Sequence, residues 1–169
     1  MAGCGGGSIP VDDPSSPLGS GGDQFQECVP DPSGGTMTNG LTVLENHSKG
    51  TVTVEQVSYY RAHNLAFVQA VVVPIRGYAM GFSLSWPPDK ATIKQPGVQW
   101  TKRVPPNGAE IPPDSSNNGF RNLVIATRPT AHKGTAAGVE IRYREDGQQY
   151  ILRTHTRFVF VVAHTAYKC

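Results

Sequence analysis

The chain has 169 residues, a length typical of one domain, and carries 15 Lys and Arg against 13 Asp and Glu. All the basic residues follow residue 36, whereas five of the acids precede it, so the first 36 residues carry −5 and the remainder +7 (15 − 8). The basic residues are scattered and no nucleic-acid recognition module is visible, so we expect no nucleic-acid partner. A mildly basic domain favours anionic neighbours such as lipid head groups or wall polymers, although charge of this size also serves solubility.

The beginning of the chain has the composition of a linker. Residues 1–36 contain nine Gly and five Pro and no Lys or Arg. Such a segment buries too little apolar surface to offset the entropy cost of ordering it. We therefore predict a flexible tether over residues 1–36, followed by a folded domain over residues 37–169 that is long enough to have its own core.

The sequence Ala2-Gly3-Cys4, followed by Gly5-Gly6-Gly7-Ser8, resembles the lipobox of bacterial lipoproteins. In that family a pair of small residues precedes a Cys that becomes lipidated, and a flexible tether separates the lipid from the domain. The resemblance implies that Cys4 is lipidated and that the protein is extracytoplasmic, either anchored to the cell membrane or secreted. A tether followed by a β-rich domain is similar to small lipoproteins of high-GC Gram-positive bacteria, which implies a location and no particular activity.

The two remaining cysteines, Cys28 and Cys169, lie at the two ends of the predicted domain. Because domain termini often lie close together, we predict a disulfide bond between them. It would close a loop of about 140 residues and stabilise the fold by somewhat over ~4 kcal/mol. Export to an oxidising compartment would permit this bond. The alternative is three reduced thiols in a cytosolic protein, and without a C-x-x-C pair they give no zinc signature.

The rest of the chain has the pattern of a β protein. From residue 41 onward the apolar runs are short, rich in Val, Ile, Thr and aromatic residues, and interrupted by Pro or Gly. The predicted strands cover residues 41–44, 51–59, 65–73, 78–86, 98–104, 121–127, 138–144, 149–154 and 157–162. This spacing predicts an all-β fold, an immunoglobulin-like antiparallel sandwich with a disordered N-terminal leader.

The stretch 51–73 fits two structures. It contains neither Gly nor Pro, and Val57, Tyr60, Leu65 and Val68 would share one face of a helix. The β-branched residues at 51–54 and 71–73 favour strands at both ends. We therefore predict two strands, with His63-Asn64 as the turn between them.

No local motif indicates an enzyme. Gly81-Phe82-Ser83-Leu84-Ser85 matches only half of a nucleophile elbow, because the second Gly and the helix that should follow are missing. We interpret Ser83 and Ser85 as strand residues. The carboxylate pair Glu145-Asp146 lies in a predicted turn, where solvated charge is the simplest interpretation. We predict that the protein is not an enzyme; a hydrolase site assembled from distant residues is the least favoured alternative.

The two tryptophans lead to different expectations. Trp100 alternates with Val98 in a predicted strand, which favours a place in the core. Trp86 precedes Pro87-Pro88 at a strand end, where aromatic residues often serve interfaces, so it is a candidate for surface binding. Residues 105–119, rich in Pro, Asn and Gly, predict a long irregular connection.

The hairpin around Asp146-Gly147 is the clearest local prediction. Apolar and charged residues alternate from 139 to 144, so one face of that strand is apolar and the other charged. Asp146-Gly147 is a two-residue turn of the type that needs positive φ. Folding about it places Tyr143 opposite Tyr150 and Glu140 opposite Arg153, and a slip by one residue would lose both matches.

The histidines and the remaining short motifs give weak signals. No pair of histidines has zinc-ligand spacing, and on one regular strand His155 and His164 would face opposite sides. A copper site with Met80 as a soft ligand is conceivable, but scattered surface histidines are the favoured interpretation, so we predict no metal and no cofactor. Asn46-His47-Ser48 fits a glycosylation sequon that also recurs by chance. The histidines are His47, His63, His132, His155 and His164.

These observations favour a non-catalytic binding or interaction module of the cell envelope, anchored through lipid on Cys4. Trp86, Arg142 and Arg144 are the candidate surface-binding residues. The partner would be an envelope protein or an anionic wall polymer or lipid. The alternative is a metal or small-ligand carrier, which requires two or more His side chains that converge in the fold.

Overall fold

The structure, a computed structural model, describes residues 16–21, 26–30, 34–114 and 120–162. Within these ranges nearly all regular structure is β, and no helix among them is long and apolar enough to span a membrane. The strands are β1 (Leu18–Gly19), β2 (Gln26–Pro30), β3 (Met37–Asn46), β4 (Val52–Tyr60), β5 (Leu65–Ile75), β6 (Gly81–Ser83), β7 (Glu110–Ile111), β8 (Phe120–Pro129), β9 (Lys133–Ala136), β10 (Gly138–Glu145), β11 (Gln148–Arg153) and β12 (Arg157–Val161). Between β6 and β7 lie a short helix, α1 (Lys90–Ile93), and a 3-10 turn (Trp100–Lys102).

Two antiparallel sheets form the sandwich. The first sheet has the order β1-β3-β8-β5, with β6 also paired to β3, and the second has the order β11-β10-β4-β7. If β1, β3, β4, β5, β8, β10 and β11 are lettered A to G in chain order, the first sheet reads A-B-E-D and the second reads G-F-C. This is the arrangement of a constant-type immunoglobulin domain. The prediction of an all-β, immunoglobulin-like antiparallel sandwich is therefore confirmed.

The strands β2, β12 and β9 form a third sheet, in the order β2-β12-β9. β9 directly precedes β10 and β12 directly follows β11, so the β10–β11 hairpin continues into the β9–β12 pair. At the junction Thr154 donates its N–H to the carbonyl of Val139, at 2.9 Å. A Cβ atom on Gly138 would lie 2.2 Å from the Thr154 carbonyl oxygen, so only glycine fits there.

Two short segments of the predicted 1–36 tether are paired strands instead. β1 pairs with β3, and β2 runs parallel to β12. Their apolar residues explain the difference, because Leu18 is 1% exposed and Val29 is 6% exposed. The tether therefore does not extend over these strands. Residues 1–15, 22–25 and 31–33 lie outside the described ranges, and the domain boundary at residue 36 stays a prediction.

The predicted hairpin is confirmed in its register. Tyr143 pairs with Tyr150 and Glu140 with Arg153 across β10 and β11. The turn residue Asp146 has φ of 47° and Gly147 has φ of 81°, as this two-residue turn requires. The rings of Tyr143 and Tyr150 stack with centroids 5.3 Å apart.

The two strands predicted within 51–73 are also confirmed, as β4 and β5. They belong to opposite sheets, so the turn between them crosses from one sheet to the other and does not form a hairpin. Arg61 and Asn64 take positive φ in this crossing, at 49° and 50°.

The predictions for residues 78–104 were largely wrong. The strand expected over 78–86 is reduced to β6, and the strand expected over 98–104 is a 3-10 turn followed by a single bridge between Val104 and Val72. Helix α1 was not predicted. Its N-cap is Asp89, whose side chain accepts the N–H of Thr92 at 2.8 Å.

The described residues contain three apolar clusters: two lie on opposite sides of the first sheet, and a small third one consists of Val159 and Val161 in β12. The main core lies between the sheets and contains, among others, Leu44, Val72, Leu123, Ile141 and Phe158. A second cluster lies on the outer face of the first sheet and consists of Val73, Ile75, Met80 and Val124. Because the first sheet is buried on both faces, its strands contain continuous apolar runs instead of an alternating pattern.

We predict that Tyr143→Phe lowers the free energy of unfolding by about 1 kcal/mol, because the lost hydroxyl leaves buried partners unsatisfied. That hydroxyl lies 2.7 Å from the Ser16 hydroxyl and accepts the N–H of Leu18 at 3.4 Å, which joins β1 to the second sheet. Urea denaturation measures the change. Tyr78→Phe is the matched control, since Tyr78 is 94% exposed. Equal stability of the two variants would contradict the role of this contact.

Candidate functional site

The segment 76–104 forms a layer over the outer face of the first sheet. We call it the basic layer. Trp86, Val98 and Trp100 pack from it onto the apolar cluster of that sheet face. The two indole rings meet edge to face, with centroids 6.1 Å apart. The layer is therefore held by hydrophobic packing against a sheet, which makes it a fixed surface.

Buried polar contacts tie the layer to the strands. Asn122, on β8, is fully buried, and its side-chain oxygen accepts the N–H of Met80 at 2.7 Å. Its amide nitrogen donates to the carbonyls of Gly40 at 3.0 Å and Thr42 at 2.7 Å, where β3 has a bulge. All the strong hydrogen-bonding groups of this side chain are thus satisfied, and they fix the start of the layer on β3 and β8.

Ser83 and Asp89 organise the beginning of α1. The Ser83 hydroxyl donates to the Asp89 carboxylate at 2.9 Å and accepts the Asp89 N–H at 3.1 Å. Hydrogen bonds from the Thr92 N–H and from Ser83 lower the pKa of Asp89. The serine of the half-matched elbow motif thus holds a helix cap in this structure.

The first residue of the basic layer, Arg76, contacts Gly97 farther along the layer. The N–H of Arg76 donates to the carbonyl of Gly97 at 3.0 Å. Gly97 has φ of 87°, and a Cβ atom there would lie 2.0 Å from the carbonyl oxygen of Arg76. Glycine is therefore required for this contact.

The exposed side chains of the basic layer carry unbalanced positive charge. The layer contains one acid, Asp89, so its net charge is +4 (5 − 1) over 29 residues. All five cationic residues are exposed. The Arg103 guanidinium lies 4.9 Å from the ring centroid of Trp100, which orients it along the surface. The five are Arg76, Lys90, Lys94, Lys102 and Arg103.

A cleft of about 340 Å³ lies at the edge of this layer. Lys102 and Arg121 supply positive charge and Glu110 a negative charge. Partial burial lowers the pKa of Arg121, since the surroundings solvate its guanidinium poorly. The rest of the lining is Val72, Pro74, Val104, Pro105, Asn107, Gly108 and Ala109.

Trp86 and Trp100 occupy comparable places. Trp86 is half-buried against the outer cluster of the first sheet, so part of its ring remains open to solvent. Trp100 lies in the 3-10 turn and packs on the same cluster, so the expectation that it alternates with Val98 in a core strand was wrong. The alternation of Val98 and Trp100 predicted a strand, but the backbone at Trp100 is a 3-10 turn, in which side chains do not alternate between two faces.

Arg142 and Arg144 lie on the outer face of the second sheet, each with its charge matched by a neighbour. Arg142 contacts Glu140 at 3.4 Å and Arg144 contacts Glu55 at 2.6 Å. Both side chains are about half exposed, at 55% and 50%. Their role in surface binding stays a prediction. Because both arginines form ion pairs, this face offers less unpaired positive charge than the basic layer does.

Among the described residues, one group of side chains is arranged like metal ligands, and it contains a single histidine. Glu45, His47 and Asp114 each place a ligand atom within 4.8 Å of the others. His63 lies elsewhere, bridged through its backbone to Thr135. The expectation of scattered histidines holds for His63, whereas the carboxylate partners of His47 were not anticipated. His164 lies outside the described ranges.

Asn46, the first residue of the sequon, is 1% exposed. Its amide nitrogen donates to the carbonyls of Gly50 and Ile111, each at 2.8 Å, and its oxygen accepts from Ser48. This nitrogen would have to carry a glycan, so the buried arrangement excludes that use in the folded protein.

The cysteine predictions fall partly outside the described ranges. Cys28 lies in β2, opposite Val159 of β12. Cys4 and Cys169 both lie outside the described residues. Lipidation of Cys4 and the bond between Cys28 and Cys169 therefore stay predictions.

No protein-family model matches the chain, and no curated protein matches it. Among solved structures, the chain is similar to the ASH/PapD-like domain of human CEP192 (PapD-like domain 7), with 12% sequence identity and a TM-score of 0.43 over 98% of this chain and 99% of that one. At this level of similarity we base the immunoglobulin-like assignment on the strand order alone.

The charged face of the second sheet leads to a pH prediction. Hydrogen bonds from Arg153, at 2.8 Å, and from Arg142 lower the pKa of Glu140 below its ordinary value of 4.5. Because the pKa of Glu140 is lower in the folded state, its ionised form adds stability above the unfolded-state pKa, and this stability is lost as pH falls through the folded-state pKa.

We expect Glu140→Gln to have a lower free energy of unfolding than wild type at pH 7, and we expect this difference to disappear as the pH is lowered through the folded-state pKa. Urea titrations across pH, with Glu110→Gln as control, measure it; a gap independent of pH would contradict the assignment.

Proposed function

We propose that the protein is a non-catalytic interaction module of the cell envelope that binds an anionic wall polymer through the basic layer. The observation that carries this proposal is the net charge of +4 on exposed side chains of residues 76–104. Long-range attraction from clustered cations concentrates a polyanion at such a surface and accelerates its association. Packing of Trp86, Val98 and Trp100 on the first sheet holds the backbone that carries the cations, so the ordering cost of binding falls mainly on the Lys and Arg side chains.

The cleft supports a polymer with spaced anionic groups. Lys102 belongs both to the basic layer and to the cleft, so a chain lying on the layer would lead an anionic group towards Arg121. The apolar lining contributed by Val104 and Pro105 would contact the less polar backbone of the polymer. The negative charge of Glu110 would repel a second anionic group in the cleft, which favours binding of one anionic group at a time.

The location at the membrane is part of the same proposal and rests on the sequence. Lipid on Cys4 would hold the domain at the membrane through the residues that precede β1. A bond between Cys28 and Cys169 would require an oxidising compartment, which agrees with export. The placement of Cys28 in β2, beside β12, brings it near the end of the described chain, and this supports Cys169 as its partner.

Binding is tested with fluorescently labelled sodium polyphosphate and the full chain, by anisotropy. We expect binding that weakens as the salt concentration rises from about 0.05 to about 0.5 M, because screening shortens the range of the attraction. Lys102→Glu should weaken binding about tenfold, since it reverses a charge shared by layer and cleft. Lys49→Glu, the same change at an exposed site outside the layer, should weaken it by less than about twofold.

Three outcomes would contradict the proposed partner. One is equal loss in the Lys102 and Lys49 variants, which would indicate only the overall charge. Another is equal binding of neutral dextran. The third is binding to phosphatidylglycerol vesicles without binding to polyphosphate, which would indicate the lipid surface as the partner.

Anchoring is tested separately on protein purified from its native membrane. Mass spectrometry should find an N-terminal Cys4 carrying a diacylglycerol group, and Cys4→Ser should move the protein to the soluble fraction. An unmodified Met1 on native protein in the soluble fraction would overturn the lipid anchor and leave the binding proposal to be judged by the polyphosphate result.

A further inference from the structure

Three metal-ligand side chains converge where β3 ends. Glu45 lies in β3 and His47 directly follows it, while Asp114 comes from the connection after β7. The His47 Nδ1 atom lies 3.1 Å from Asp114 Oδ2, and His47 Nε2 lies 3.8 Å from Glu45 Oε2. The cluster uses none of the residues of the basic layer.

The backbone fixes these side chains from three segments. The N–H of Asn46 donates to Asp114 Oδ1 at 2.9 Å, which leaves Oδ2 facing the imidazole. The N–H of His47 donates to the carbonyl of Pro17 at 2.9 Å. A Cβ atom on Gly19 would lie 2.6 Å from His47 Nε2, so the chain after Pro17 passes directly against the ring.

The chemistry of the imidazole indicates what the cluster needs. Asp114 at hydrogen-bond distance fixes a proton on Nδ1, which leaves a lone pair on Nε2. In that tautomer Nε2 is an acceptor, and it lies 3.8 Å from Glu45 Oε2, which is an acceptor as well. The separation exceeds hydrogen-bond length, whereas two ligands of one zinc ion lie about 3.4 Å apart in tetrahedral geometry and somewhat farther when the angle opens.

We propose that Glu45 and His47 bind a divalent transition metal, best Zn²⁺, with Asp114 orienting the imidazole. A carboxylate on the second nitrogen of a metal-bound histidine is the common arrangement around zinc. Imidazole with carboxylate favours zinc or another transition ion over Ca²⁺ and Mg²⁺, which prefer oxygen ligands alone. Water fills the remaining positions.

The test uses the full chain, stripped of metal with a chelator, and ZnCl₂ at pH 7. Isothermal titration calorimetry should give one Zn²⁺ per chain at this cluster, and Zn²⁺ should raise the melting temperature. His47→Ala and Glu45→Gln should each weaken binding at least tenfold. Asp114→Asn should weaken it about tenfold while the ring signals of His47 still shift with Zn²⁺ in ¹H–¹⁵N NMR spectra, as a positioning role requires.

The matched control is His132→Ala, since His132 is exposed and lies outside the cluster. It should bind Zn²⁺ like wild type. Binding that survives His47→Ala unchanged would overturn the proposal and assign the metal to other residues. So would ring signals of His47 that move with pH but not with Zn²⁺, which would show a protonated imidazole only, or binding of Ca²⁺ in preference to Zn²⁺.

Discussion

Both faces of the first sheet are apolar, and this constraint governs the rest of the molecule. The inner face packs on the second sheet, as in any sandwich, but Val73, Ile75 and Val124 point outward and are almost completely buried. A β-sandwich of this size would ordinarily expose that face to water. The chain between β5 and β7 must therefore return across the sheet and cover it. This covering segment is mostly irregular, because it buries the side chains of the sheet face and pairs with the strands of the sheet mainly through β6.

The cover explains why the cationic side chains lie where they do. Met80, Trp86, Val98 and Trp100 of this segment pack onto the sheet, whereas Tyr78, Leu84 and Val104 are exposed together with all five of its Lys and Arg residues. Asn122 holds the segment at Met80 through a buried hydrogen bond, and Gly97 makes a close backbone contact with Arg76 at its beginning. The positive surface is thus a consequence of the same packing that completes the core.

The success of sequence reasoning followed the strength of the local pattern. The β10–β11 hairpin was predictable in register because an alternating face, a turn dipeptide and two cross-strand matches agreed. Residues 51–73 were predictable as strands because β-branched residues stood at both ends. Alternation failed in the cover, where Trp100 and Val98 share an apolar environment without being on a strand. β1 and β2 were missed because their short apolar sequences lie in a segment whose composition favours disorder.

The candidate sites were harder to predict because they depend on contacts between distant residues. His47 and Asp114 are 67 positions apart (114 − 47), and no spacing rule for metal ligands would pair them. The buried Asn46 places Glu45 and His47, its two neighbours, on the opposite side of the strand end, but the burial of Asn46 is known only from the structure. The cationic residues of the basic layer looked scattered in sequence because only the fold shows that one stretch forms one surface.

The two outer faces of the sandwich illustrate why residue type alone does not locate a binding surface. The second sheet exposes Arg142, Arg144 and Arg153, and each of them contacts Glu140 or Glu55. An anion arriving there would have to displace a carboxylate, so the gain from the new contact is offset by the loss of the old one. The basic layer holds a similar number of cations with one acid, and that acid caps α1. Attraction to a polyanion depends on the charge left unmatched, which is why we propose the cover of the first sheet, and not the charged face of the second sheet, as the binding surface.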